Sequence, residues 1–212
     1  MALSGTMRRA AKQIVGRQSK NRTTNPSKCN LVGRKKVDMN LCTLAYPEIS
    51  ISDFEKIQKF RKLNDIYYHV VEPHITLAFP FSEWDLEPYI AEIKKQSLGF
   101  QPFDFCIRCA TLSKDAFQDL YHVFLVPDEG YSQILKMHYK LCGNRFFPYR
   151  LLNVDFIPHI GIGNSKDPLR CVELVESWNR EEFSISGHIS ALVIANYEND
   201  TVETIEDIPL GE

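Results

Sequence analysis

The chain is predicted to be an α+β domain of two lobes, each a β-sheet with helices, related by a pseudo-twofold axis about a central cleft. Three observations predict this. The segment "EPHITLAF" at 72–79 returns 85 residues later as "IPHIGIGN". Each copy is followed by the same order of elements: strand end, loop, helix, strand. From Val37 onward the hydrophobic period switches repeatedly between two and 3.6 residues, which interleaves strands with helices. Two such halves are too large and too few to be a solenoid.

The elements follow in order. "MNLCTLAYP" (39–47) alternates as a strand. Ser52 and Glu55 form a capping box, and Phe54, Ile57, Phe60 and Leu63 then recur at helical steps. "IYYHVVEPHITLAFPF" holds strand material on both sides of Pro73, and "LEPYIAEIKKQ" is a helix stopped by Gly99. "FDFCIRCATL" and "YHVFLVP" are strands, the second ending at Pro127-Asp128. A helix over Tyr131–Cys142 ends at Gly143, and "VDFIPHIGIG" is a strand. Asp167 and Pro168 supply an N-cap and an N1 proline, with Leu169, Val172, Val175 and Trp178 on the buried side of the helix that follows. "SISGHISALVIANYE" and "VETIEDIPL" close the chain as two strands.

The 212 residues, 44% of them apolar, suffice for a real core. No apolar run approaches the roughly 20 residues of a membrane span, and no signal-peptide core is present. The six cysteines are scattered through apolar-periodic segments, as in a reduced intracellular protein. Cys106 and Cys109 lie three apart on a strand, so they point to opposite faces and do not share a metal or a redox bond. Charge divides the chain: residues 1–37 hold ten Lys/Arg and no acid, leaving fifteen basic against 27 acidic residues and a net −12 for the rest. Residues 1–37 are thus expected to be a basic, poorly ordered extension, and 38–212 the folded domain. The extension has the composition of an RNA-contacting arm or of an organelle-targeting segment; without the latter role the protein is expected in the cytoplasm.

The repeat carries the chemistry. In a strand, residues i and i+2 share a face. Ile75 and Leu77 therefore point to the core, and His74 and Thr76 point the other way. In the second copy Ile160 and Ile162 go inward, leaving His159 beside Gly161, which has no side chain. If the halves are related by the pseudo-twofold, the two imidazoles converge. Near neutral pH one imidazole can be neutral while the other is charged. One then takes a proton from a nucleophile and the other gives one to a leaving oxygen. A phosphodiester needs both at once, and Thr76 would donate to a non-bridging oxygen. No acidic cluster lies near either motif in sequence, so neither a metal nor another cofactor is expected. His69, His122, His138 and His188 have no matching context and read as structural. Tyr149 and Arg150 read as a solvated loop, and Tyr46 as a core aromatic.

A pair of H-x-[ST]-x motifs, one per lobe and 80 to 90 residues apart, resembles the two-histidine phosphoesterase superfamily, with its LigT-like 2′-5′ RNA ligases and 2′,3′-cyclic nucleotide phosphodiesterases. The likeness spans about 38–210, through the final "IEDIPL" strand. It implies the LigT-like bilobal fold and metal-independent action on 2′,3′-cyclic phosphate RNA ends, 2′-5′ linkages or cyclic nucleotides. It also implies His74 and His159 as the acid–base pair, and Thr76 as a phosphate ligand. Gly161 departs from the pattern, standing where the family has Thr or Ser. Three outcomes are open: a water or another donor, such as Ser165 or Lys166 on the following loop, replaces that hydroxyl, the gap admits a bulkier substrate, or the site binds nucleotide or RNA without turnover. The acidic body favours a short substrate over a long polyanion. A monomer acting on a small nucleotide or RNA end, away from membranes, is the resulting expectation.

Overall fold

The computed structural model describes residues 39–151 and 154–211, so the basic extension lies outside the described residues. The elements are β1 (Leu41–Ala45), β2 (Glu48–Ile49), α1 (Ile51–Asn64), β3 (Ile75–Phe81), α2 (Leu86–Ser97), β4 (Phe103–Lys114), β5 (Tyr121–Glu129) and α3 (Tyr131–Leu141). A 3-10 turn (Asn144–Tyr149) follows, then β6 (Ile160–Ser165), α4 (Pro168–Asn179), β7 (Ile185–Ile189), β8 (Ala191–Glu198) and β9 (Thr201–Pro209). The fold is α+β, as the alternating periods predict.

Two antiparallel sheets form, ordered β3-β1-β8-β9 and β2-β7-β4-β5-β6. The unit β1–α1–β3 of the first sheet matches β5–α3–β6 of the second: a strand, a helix and an antiparallel neighbour. Next inward, β8 flanks β1 as β4 flanks β5. Each copy of the repeat therefore lies on an edge strand. The helices are exchanged between the sheets: α1 packs on β6, and α3 packs on β3. One hydrophobic cluster joins the two halves through Ile57, Leu77, Ile107, Met137 and Ile162.

Several boundaries differ from expectation for physical reasons. The first helix is capped by Ser50, whose hydroxyl accepts from the Asp53 amide at 3.1 Å, and not by Ser52 with Glu55. Ile49 is still paired with Gly187 in β2, so the chain can turn into the helix only at Ser50. On α4 the buried stripe is Cys171, Leu174 and Trp178, with Val175 beside it. This spacing turns Leu169 to the far side, where it is 71% exposed. Val172 is likewise exposed. The "SISGHISALVIANYE" segment is two strands, because β7 pairs with β4 in one sheet and β8 with β1 in the other. The chain changes sheets at Ser190. Asn199 and Asp200 both adopt positive φ, the two-residue turn that joins β8 to β9. Cys106 is buried and Cys109 exposed, on opposite faces as expected.

Ile162 is fully buried between the sheet and its helices, whereas Leu63 is 79% exposed. Ile162→Ala is expected to lower unfolding free energy by about 2–5 kcal/mol. Leu63→Ala should stay within about 0.5 kcal/mol of the unaltered protein in urea titrations.

Candidate active site

Strand alternation places the site as the sequence requires. Ile75, Leu77, Ile160 and Ile162 are all sealed in the core. Each histidine stands one residue before its strand, on the opposite side. His74, Thr76, His159 and Gly161 line one cavity of about 500 Å³ between the two sheets. Phe79, Phe117, Phe124, Tyr67 and Tyr197 give it aromatic walls.

The two imidazoles are held by the same device. His74 Nδ1 lies 2.7 Å from the Glu72 carbonyl, and His159 Nδ1 lies 2.6 Å from the Ile157 carbonyl. A carbonyl only accepts, so Nδ1 carries the hydrogen in both rings and Nε2 keeps its lone pair. Pro73 and Pro158 sit inside these two-residue loops and restrict the residue before them to extended backbone. That conformation brings the carbonyl within reach of the ring.

A buried polar network ties the two loops together. Arg61, 2% exposed, donates through Nε to Asp65 at 2.8 Å and through Nη2 to the carbonyls of Tyr67 and Val71. Asp65 also accepts from Asn164 Nδ2 at 2.7 Å, on β6. The segment leading to His74 is thus anchored to the strand that follows His159. The helical period assigned α1 a buried stripe but gave no sign that an arginine would join it.

His122 is the residue whose place differs most from its sequence reading. It lines the same cavity, and its Nε2 meets Asp115 Oδ2 at 2.8 Å. Asp115 Oδ1 accepts from the amides of Phe117 and Gln118, which fixes the β4–β5 loop. Phe124 lies between two imidazoles, stacked on His159 at 3.5 Å between centroids and on His122 at 5.6 Å. The only sequence signal for this was position: His122 and Phe124 share a face of β5 with no core role.

The other candidates fall elsewhere. Ser165 and Lys166 do not line the cavity. His138 bonds the Leu77 carbonyl inside the core, and His188 pairs with Asp104 on the surface. Tyr149 stacks on Phe81, and Arg150 covers Tyr139. Tyr46 meets the His74 ring edge-on at 6.1 Å and packs against the smaller apolar cluster of Cys42, Leu44, Val193 and Ala195. At Gly161 a methyl group would meet no heavy atom within 4 Å, and φ is not positive. Neither packing nor backbone conformation calls for glycine there. Among the described residues, no group of three or more His, Cys, Asp or Glu is arranged to hold a metal, and no helix is long and apolar enough to cross a membrane.

Both motif imidazoles are electrostatically biased toward neutrality. Burial pushes His159 down to about 4, and the charges of His74 and His122 add to the effect. Burial also lowers His74, with Arg61 acting in the same direction and its Glu72 bond opposing.

A profile of the 2'-5' RNA ligase superfamily matches residues 47–201 of this sequence. The chain belongs to that superfamily. Its members are phosphoesterases, and the two sheets with their twin edge motifs are its LigT-like fold. The structure is similar to E. coli LigT complexed with 3′-AMP, at 12% identity and TM-score 0.50, over 82% of this chain and 99% of LigT. It is similar to Kluyveromyces marxianus Usb1, at 12% identity and TM-score 0.51, over 82% of this chain and all of Usb1. The TT0787 protein of Thermus thermophilus matches at 12% identity and TM-score 0.51, over 81% and 98% of the two chains. No curated protein matches in sequence.

The lowered His159 value has a sign that can be checked. Between its ordinary 6.5 and about 4, the unfolded chain binds a proton that the folded ring refuses. The His159 contribution to stability is therefore complete above pH 6.5 and declines as pH falls toward 4. Histidine NMR titration should show one ring titrating near pH 4, absent in His159→Gln.

Proposed function

We propose that the protein is a phosphodiesterase that opens 2′,3′-cyclic phosphates, at RNA ends or in small cyclic nucleotides, by proton transfer through His74 and His159. The observation that carries this reading is the matched pair of Nδ1–carbonyl bonds in two histidines that line one cavity, which leaves Nε2 of each ring for proton transfer. In the first step, the bare Nε2 of one ring removes a proton from water as the water oxygen bonds to phosphorus. The P–O bond to one ribose oxygen breaks, and the other ring, protonated at Nε2, gives that oxygen its proton. The exchange leaves a phosphomonoester and a free hydroxyl, with the two rings' protonation states reversed. Thr76 donates its hydroxyl hydrogen to a non-bridging oxygen. The environment favours His159 as the base, because burial, with the charges of His74 and His122 adding to it, disfavours its charged form.

The substrate is small. A volume of about 500 Å³ lies within the roughly 300–1,000 Å³ usual for small-molecule sites. The body's net −12 repels a long polyanion. Aromatic walls suit a nucleobase. Gly161 favours one alternative, a module that binds nucleotides without turning them over. RNA ligation assisted by the basic residues 1–37 is the other family chemistry, and it requires the arm where hydrolysis of a mononucleotide does not.

Purified protein is expected to hydrolyse 2′,3′-cyclic nucleotides in EDTA. His74→Ala and His159→Ala should each lower kcat by about 10²–10⁴ while melting near the unaltered protein. Saturable binding with no hydrolysis across that panel would replace the enzyme reading by the binding one. The productive form has one charged and one neutral ring. With both rings biased toward neutrality, kcat/KM should decline as pH rises from a point already below histidine's ordinary 6.5, and again below about 4.

A further inference from the structure

We propose that His122, held by Asp115, takes the place of the second motif's missing hydroxyl and binds a non-bridging oxygen of the phosphate between His74 and His159. This rests on the phosphate reading above.

The register carries the argument. Phe124 stands opposite Gly161 across the β5–β6 pair and His122 opposite Asn164, with a bulge between them; His122 and Phe124 share a face of β5. The His122 and Phe124 rings stack at 5.6 Å between centroids, and His122 and Gly161 line the same cavity. The space above Gly161 is open, with no atom within 4 Å of where a side chain would begin. A phosphate oxygen can therefore occupy the volume that a threonine would fill.

Several other polar groups of that wall have contacts of their own. Asn164 donates to Asp65 and accepts from the Ile66 amide. The Tyr67 hydroxyl is bonded to Gln118. Lys114 lies with its Nζ over the Tyr121 ring at 5.5 Å. His122 has a partner only at Nε2 among the described residues, so Nδ1 is available. The Asp115 carboxylate that receives Nε2 is 12% exposed and fixed by two backbone amides. Burial works against its charge, but the His122 and amide hydrogen bonds outweigh it and hold Asp115 below the usual carboxylate range. In the proposed complex the ring carries a hydrogen on each nitrogen, Nε2–H donating to Asp115 and Nδ1–H to the phosphate. A hydroxyl donor would thus be exchanged for a cationic one on the neighbouring strand.

The experiment compares the unaltered protein with His122→Ala, Gly161→Thr, the double variant and Asp115→Asn, each checked by thermal melting. Adenosine 2′-monophosphate binding is measured by calorimetry, and 2′,3′-cyclic AMP hydrolysis by product release. His122→Ala is expected to weaken binding about tenfold and to lower kcat/KM roughly 10²-fold, the usual cost of one lost oxyanion donor. Asp115→Asn should move both in the same direction by less. Gly161→Thr should recover most of the loss in the His122→Ala background, yet change the otherwise unaltered protein by less than about threefold. Values for His122→Ala within threefold of the unaltered protein, or a tenfold gain from Gly161→Thr alone, would overturn the assignment. His122-dependent binding without hydrolysis supports this assignment while overturning the hydrolase reading. Absence of binding by the unaltered protein overturns both.

Discussion

The paired bonds from ring Nδ1 to the carbonyl two residues upstream are the constraint on which the site depends. A free imidazole exchanges tautomers and rotates about two torsions. Here the extended backbone enforced by Pro73 and Pro158 presents a carbonyl to each ring, at 2.7 and 2.6 Å. The bond selects one tautomer and one orientation together. Because the same three residues, Pro-His-Ile, build it in both lobes, the two sites are equivalent by sequence before any tertiary contact forms. The fold then has only to bring two prepared loops to one cavity.

It does so through edge strands and exchanged helices. β3 and β6 each lie at the rim of a sheet, so each histidine loop has one side unpaired by backbone and turned to the cavity. The exchange of α1 and α3 between sheets ties the two lobes into one packed body. The Arg61–Asp65–Asn164 chain adds directional bonds to that non-directional packing. Hydrophobic contact sets the lobes together; the arginine and its carbonyl acceptors set where the segment before His74 runs. A buried guanidinium is costly unless every donor is used. Here Gln58, Asp65, Tyr67 and Val71 supply its acceptors.

What the sequence made legible follows from this division. Alternation by two is local, so the core places of Ile75, Leu77, Ile160 and Ile162, and the cavity places of the residues between them, could be read directly. The helices were legible from their period, but their faces were not. On α4, Leu169 and Val172 fit a helical stripe as well as Cys171 and Leu174 do, and only the direction of sheet packing decides between them. The break at Ser190 was hidden because a strand that changes sheets keeps the same apolar composition on both sides. His122 was hidden for another reason: its chemistry depends on Asp115, seven residues away across a loop, and on a neighbouring strand rather than on any motif.

Gly161 shows how far the two lobes have diverged within the shared frame. In the first lobe a β-branched hydroxyl stands two residues after the histidine; in the second that position is empty and unconstrained. Had the glycine been required by a tight turn or a close backbone, the difference would concern folding. With ordinary φ and open space around it, the difference concerns what enters the cavity. The same wall holds an aromatic ring pressed against His159 and an imidazole–carboxylate pair beyond it. In the first lobe the His74 ring has an edge-on aromatic neighbour, Tyr46, in place of a stacked one. The pseudo-symmetry therefore ends at the rings themselves. One imidazole sits beside a threonine and the other is stacked on an aromatic ring, so the cavity has a direction. An asymmetric substrate, with a base at one end and a phosphate at the other, is what such a cavity can tell apart.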